Sequence, residues 1–392
     1  MRIAFLASLL GVEATGQSAA AASTAARLAA AGADVSIIAP DCGVHGRPVT
    51  KYVDIPDSVR VHIFPSIGRL NRRLFRSPAL TSWLREHIHE FDVLDVQGVW
   101  SFVGKDASEV FAAAKKPYVL TPHGMMTRYD WQKSMLYRKL FFSFGFGKVW
   151  READAVRFLS TGERDTSYYP PVGRSVIVPN TIDIQAAPTP EIRREARARL
   201  GIEKHTQMLL FIGRLAHQKG IKETLAIFEI VAPQLPNLSL YLVGPSDGEY
   251  GSEALTMASA SAYRSRIVIA GPVFGDKKYD YLRAADAFIT LSHNEGQSVA
   301  HLEALAEGLP MILTKSSNMD FLTEYGAGIL VTHQPDEAAK AIVQLMSDPE
   351  ILAKTGRGAR RLVEEKYVPH VVIPQLLTLY KEISEARTDR EV

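Results

Sequence analysis

The sequence predicts an α/β protein made of two tandem, doubly wound parallel-sheet domains, and three observations carry that reading. Short apolar runs alternate with helical patterns up to about residue 178, the pattern breaks after it, and a second series of the same kind follows. At 392 residues the chain is too long for one ordinary core and suits two domains of roughly 150 to 200 residues. A hydrophobic content of 46% with 22% charged residues is globular, and a net charge of +2 gives no electrostatic reason for a nucleic-acid partner.

Taken in order, residues 3–7, 35–39, 59–64, 93–96, 118–121, 155–159 and 175–178 read as buried strands. Residues 18–31, 79–89, 102–114 and 132–153 carry helical patterns between them, and Thr161 caps a short helix. Pro188, Pro190 and the charged run 191–199 interrupt the apolar pattern, which predicts an interdomain connection between about Asn180 and Lys204. Strand candidates resume at 208–212, 238–243, 267–270, 287–291, 311–313 and 329–331, and two helices, 351–366 and 371–386, meet at Pro369. These patterns set the domains at 1–183 and 184–370, with 371–392 a terminal helix packing back on the first domain. Two such sheets place a cleft at the carboxyl ends of their strands. Glu13 and the polar residues Thr15 to Ser18 interrupt the first apolar run early, so it reads as a strand and not as a secretory leader. No apolar run is long enough to span a bilayer, and the expected location is the cytoplasm, with peripheral contact at the inner face of the membrane as the one membrane role open to it.

The stretch from Ser292 to Gly308 is the most informative. A strand feeds a polar turn holding Glu295-Gly296, and Ser298 can cap a helix that stops at Gly308 before Pro310. Val299, Leu302, Leu305, Ala306 and Leu309 make an apolar stripe with Glu303 at its edge. A carboxylate there, near free helix amides, suits docking of a polar ligand that carries phosphate; the plain alternative is a solvated acid early in a helix. In Gly213-Arg214-Leu215-Ala216-His217-Gln218-Lys219-Gly220, two cations in the turn after a strand can converge on one phosphate, or form a charged surface turn. Residues 11–18, with Gly16 before a helix, let backbone amides approach an anion, although neither G-x-G-x-x-G nor G-x4-G-K-[ST] is present. His123, in Thr121-Pro122-His123-Gly124, closes a strand and can donate to a sugar or carry a proton; the alternative is a turn residue.

Other chemistries find less support. His87 and His89 diverge on a helix, no Asp-x-Asp occurs, and the single cysteine, Cys42, excludes disulfides and cysteine-rich zinc sites, so neither a metal nor a cofactor is expected. Gly244-Pro245-Ser246-Asp247-Gly248 fits a nucleophile elbow but consists of turn residues and reads as a turn. The basic run 69–76 reads equally as a surface helix or as contact with an anionic membrane, whereas the aromatics of 131–151 read as core.

Together these residues resemble the family 4 glycosyltransferases, which have the GT-B architecture of two Rossmann-like domains facing a cleft. Glu295 and Glu303 match the family's E-x7-E motif, and Gly213-Arg214-Leu215 with Lys219-Gly220 its G-R-L-x3-K-G segment. Pro179-Asn180-Thr181-Ile182-Asp183 matches its P-N-G-V-D hinge, and Pro122-His123-Gly124 its first-domain histidine loop. The resemblance implies that Arg214 and Lys219 hold a donor diphosphate, Glu295 contacts the donor sugar and Glu303 the ribose. It also implies that Gly16 nears the diphosphate, that His123 contacts the sugar and that the backbone at Val273-Phe274 meets the base. Gly296, Gln297 and Ser298 complete the donor-binding turn, with His123 and Glu295 as the catalytic pair. Three positions depart from the pattern: Gly16-Gln17 for a glycine pair, Gln297-Ser298 after Glu295-Gly296, and Thr181 for the hinge glycine. The function implied is retaining, metal-independent transfer of a hexose from a nucleoside diphosphate sugar to a glycan or lipid-linked acceptor in cell-surface polysaccharide synthesis. A nucleotide-sugar epimerase of similar architecture and a non-catalytic nucleotide-sugar-binding protein are the alternatives.

Overall fold

The computed structural model describes residues 1–12, 16–43, 46–246 and 248–389, so Glu13 to Thr15, and Asp247 of the elbow-like turn, lie outside the described residues. The chain forms two compact units, Met1–Thr181 with Pro369–Val392, and Ile182–Val368.

The first unit holds β1 (Arg2–Ala7), β2 (Asp34–Pro40), β3 (Arg60–Phe64), β4 (Val93–Gln97), β5 (Tyr118–Thr121), β6 (Ala155–Phe158) and β7 (Arg174–Ile177). They pair in parallel in the order β3-β2-β1-β4-β5-β6-β7. Strands covered on both faces, such as β1, read as continuous apolar runs and not as alternating ones, whereas β4 and β6 also bury Asp95, Gln97 and Arg157 and the edge strands β3 and β7 are partly exposed. The alanine-rich helix Gly16–Ala30 packs against one face through Ala21, Ala25 and Leu28. The helix Pro369–Asp389 joins the same core through Val372, Ile373, Leu376, Leu379, Tyr380 and Ile383. Burial of each large aliphatic chain contributes about 1.5–3 kcal/mol, enough to hold this distant segment on the unit.

The stretch read as one helix over 132–153 is broken into helices Arg128–Gln132, Met135–Phe141 and Gly147–Glu152 around a distorted turn, Phe142–Phe146. Gly145 there has φ 101, a conformation that side-chain-bearing residues rarely adopt and that glycine takes at no steric cost. The core reading of its aromatics holds for part of the segment. Trp131, Phe146 and Trp150 are buried, with Trp131 stacked 4.5 Å from Tyr168, but Leu136, Tyr137, Leu140 and Phe144 are exposed, Leu136 at 81%.

The second unit repeats the plan. β8 (Gln207–Ile212), β9 (Leu238–Val243), β10 (Ile267–Gly271), β11 (Ala287–Thr290), β12 (Met311–Thr314) and β13 (Gly328–Val331) form a parallel sheet in the order β10-β9-β8-β11-β12-β13. Residues 191–199, read as connection, are instead a helix of this unit, Pro190–Arg199, capped by Thr189 Oγ1, which accepts from Ile192 N at 3.3 Å. Only Ala196 of it is buried. The helix is held by charge: Arg193 and Arg197 lie 2.7 and 3.4 Å from the Asp286 carboxylate, which also accepts from Met208 N at 2.7 Å.

The helix Val299–Ala306 departs from the amphipathic reading. Every residue from His301 to Ala306 is buried, so Glu303 lies inside the fold and not at the edge of a stripe. Ser298 occupies the N-cap position with extended backbone but makes no side-chain capping bond. Gly308, with φ 71, does end the segment in the left-handed conformation.

Candidate functional site

In the second unit β8 and β11 are neighbours at the point where strand order reverses, so the turns that follow them meet at the carboxyl edge of the sheet. The close approach of the turn after β8 to the end of β11, and to the turn after β9, depends on two glycines. Gly220 has φ 65, and a Cβ there would collide with the Leu291 carbonyl; at Gly244, φ 143, it would collide with that of Gly213. His293 N donates to Gln218 O at 2.8 Å and Gln218 Nε2 to Asn294 O at 2.8 Å, tying the two turns together.

Lys219 and Glu295 meet across this junction, Nζ to Oε1 2.6 Å, with side chains 19% and 9% exposed. Glu295 Oε1 also accepts from Ser292 Oγ at 2.9 Å, and the Glu295 carbonyl accepts from Asn318 Nδ2 at 2.5 Å. Ser298 Oγ, free of capping duty, accepts from Lys219 Nζ at 3.5 Å. Gly296 and Gln297 are buried in the same turn. Glu303 pairs with Lys278 Nζ at 2.5 Å, so the second carboxylate is also neutralised. Burying either acid without its cation would be costly, and the pairs make the placement tolerable. The structure thus brings Lys219, Glu295 and Ser298 together. It does not place Arg214 in that contact: its side chain is exposed, with no hydrogen bond or ion pair among the described residues. Val273 is half-buried and Phe274 exposed in the turn after β10. Lys278, in the helix Asp276–Ala284, escapes sequence reasoning because nothing local distinguishes it from Lys277.

The buried His301 was also not singled out. Its Nε2 bonds Thr290 Oγ1 at 2.8 Å, and burial, aided by the Lys219 cation, holds its pKa well below the ordinary value, so it is neutral.

In the first unit His123 follows β5 with φ 52, in the left-handed region. A polar chain fixes its ring. Tyr380 Oη donates to Asp95 Oδ2; Thr121 Oγ1 and Gln97 Nε2 donate to Asp95 Oδ1 at 3.1 and 2.6 Å. With its amide nitrogen committed to Asp95, Gln97 presents Oε1 to His123 Nε2 at 2.7 Å. That network assigns the proton of the neutral ring to Nε2 and the lone pair to Nδ1. Of the two roles open to His123 from the sequence, donor to a sugar or proton carrier, this arrangement commits the Nε2 proton to Gln97 and leaves Nδ1 as an acceptor. Burial, and then the Arg157 cation, lower its pKa to about 3. Asp95 is raised by burial, against the opposing pull of Arg157 and its three donors.

Glu163 is a buried carboxylate that accepts from Gly124 N and, at 2.7 Å, from Leu159 N; it clamps the loop that carries His123. Burial raises its pKa to about 7, although both amide bonds oppose the shift. The signal was present as Ser160-x-x-Glu163, a capping-box spacing in which Ser160, not Thr161, is the cap. Gly16 starts its helix exposed, and a Cβ there would meet nothing within 4 Å. No helix among the described residues is long and apolar enough to cross a membrane.

Two family models match the chain: a "Glycosyl transferase 4-like domain" over residues 15–181 and "Glycosyl transferases group 1" over residues 192–362. An alpha-monoglucosyldiacylglycerol synthase from Streptococcus pneumoniae is 26% identical over 180 residues, 45% of this chain and 40% of that protein. The chain spans about half or less of the length of the curated relatives it matches. Among solved structures, a sucrose-phosphate synthase from Thermosynechococcus elongatus superposes with a TM-score of 0.79 at 20% identity, covering 98% of this chain and 100% of that one. Anabaena HepE in complex with UDP-glucose does so with a TM-score of 0.73 at 18% identity, covering 99% and 100%. At these identities the likeness establishes the shared two-sheet fold.

Proposed function

This chain belongs to the glycosyltransferases of the family 4 type with GT-B architecture, and on that premise we propose that it moves a hexose, with retention, from a nucleoside diphosphate sugar to a glycan or lipid-linked acceptor. The observation that carries the reading is the junction in the second unit, where Lys219 and the buried Glu295 meet beside Ser298. A departing nucleoside diphosphate carries roughly two to three negative charges, and electrostatic stabilisation of such a group is usually the largest catalytic contribution. Lys219, with Arg214 exposed in the same turn, supplies cations for the leaving group, and Glu295 supplies a carboxylate for the positive charge that develops on the sugar. Glu303, which the structure pairs with Lys278, accepts hydrogen bonds from the ribose in this reading. In the first unit the Nδ1 lone pair of His123 accepts from a sugar hydroxyl and holds the ring in place. The solved relative in complex with UDP-glucose favours a donor of that type. The relative that is a glucosyldiacylglycerol synthase favours a lipid-linked acceptor, and the exposed Leu136, Tyr137, Leu140 and Phe144 would suit peripheral contact with a membrane, where a cell-surface polysaccharide pathway would run.

The test supplies UDP- and GDP-sugars with and without candidate acceptors. Transfer that requires an acceptor supports the proposal. An epimerised free sugar, or binding without turnover, would replace it with one of the two alternatives.

A further inference from the structure

The turns that carry Lys219 and Glu295 hold a second cluster, set apart from that ion pair. His217 lies two residues before Lys219, His293 two before Glu295, and Glu223 in the first turn of the helix Ile221–Val231. One ligand-capable atom from each of the three lies within 4.8 Å of the other two. Glu223 Oε1 is 2.9 Å from His293 Nε2, while Glu223 Oε2 is buried with no hydrogen-bond partner among the described residues. A buried carboxylate oxygen without a donor is unfavourable, and this one is open to a further ligand. The rings of His217, His293 and His333 stack in file, with centroids 4.6 and 4.3 Å apart. His333 Nε2 is engaged with Leu291 O at 3.0 Å, so this ring backs His293 and stands outside the ligand set.

We propose that His217, Glu223 and His293 form a binding site for a divalent transition metal of the zinc type. Two imidazoles and one carboxylate are a ligand set that zinc accepts, completed by water in the fourth position. Zinc takes such ligands at about 2.0–2.2 Å, so tetrahedral ligand atoms stand about 3.4 Å apart. Reaching that spacing requires His217, exposed to solvent, to leave its stack on His293, while His293 and Glu223 already face each other. The ion would bridge the turn after β8, the helix that follows it and the turn after β11, pinning the backbone that carries Lys219 and Glu295 without touching substrate. Its role is structural, and it rests on this cluster alone, not on the identity of the donor.

The test is calorimetric titration of the EDTA-stripped full chain with Zn²⁺, with Co²⁺ as a spectroscopic probe of the ligand set. The wild type is expected to bind one equivalent and to melt at a higher temperature when loaded. His217→Ala, at an exposed position, and Glu223→Gln should each lower Zn²⁺ affinity at least tenfold, while His89→Ala, remote in the first unit, leaves it unchanged. Absence of saturable one-to-one binding by the wild type overturns the proposal, as does wild-type affinity in both His217→Ala and Glu223→Gln.

Discussion

Lys219→Met should destabilise the second unit more than Lys219→Met combined with Glu295→Gln. The two charges meet at 2.6 Å with little exposure on either side. At an effective dielectric constant of about 20, unit charges about 4 Å apart attract by about 4 kcal/mol. Removing one partner of a buried pair costs about 3–5 kcal/mol, because the other charge stays buried. Glu295 retains its bond from Ser292 Oγ and Lys219 is partly exposed, which places the loss at the lower end, about 3 kcal/mol. Neutralising both groups removes the orphaned charge and should cost about 1 kcal/mol, about 2 kcal/mol less than Lys219→Met alone. For a unit of this size each kcal/mol moves the melting temperature by about 2–4 °C, so the single variant should fall by about 6–12 °C and the double by about 2–4 °C. Scanning calorimetry of the wild type, both single variants and the double variant reads the cycle. A double variant that falls by the sum of the two singles would refute the claim that the pair is one electrostatic unit.

Three further outcomes follow from the site. His123→Asn should lower the transfer rate by on the order of a hundredfold. Because the folded-state pKa of His123, about 3, lies below the ordinary 6.5, the unfolded chain binds the extra proton between those values and stability falls as pH drops through that window; the variant should flatten this dependence in melts taken across it, and an unchanged slope would contradict the burial argument. Transfer in excess EDTA, assayed below the melting temperature, should match transfer with Mg²⁺ or Mn²⁺, and Arg214→Ala should nearly abolish it; loss in EDTA with rescue by Mn²⁺ would show that cations of the chain do not suffice for the leaving group. Replacing Leu136, Leu140 and Phe144 with serine should release the protein from vesicles rich in anionic lipid in a flotation assay, and equal binding by the variant would remove this surface as the contact.

The sheets were legible in the sequence because strands buried on both faces must be continuous apolar runs, and the segments 208–212 and 287–291 already placed Lys219 and Glu295 just beyond strand ends. The helix Pro190–Arg199 was not, because it is anchored by Arg193 and Arg197 on Asp286, and periodicity detects apolar faces only. The burial of Glu303 was half legible: its offset from the stripe signalled an unusual acid, but the cover on its other side comes from elements distant in the chain, as does its partner Lys278. Gln97 and Asp95, which orient His123, and His293, which meets Glu223, are joined by strand order, which no local spacing records.

In the proposed mechanism the second unit recognises a nucleoside diphosphate through Glu303 and uses Glu295 on the reacting sugar. Titration calorimetry with free UDP and GDP on the wild type, Glu303→Ala and Glu295→Ala tests it most directly, since the free nucleotide carries the ribose and the diphosphate but no sugar to transfer. One of the two nucleotides is expected to bind the wild type, Glu303→Ala to weaken that binding at least tenfold, and Glu295→Ala nearly to preserve it while losing turnover. Equal loss of affinity in both variants, or no binding of either nucleotide by the wild type, would contradict it.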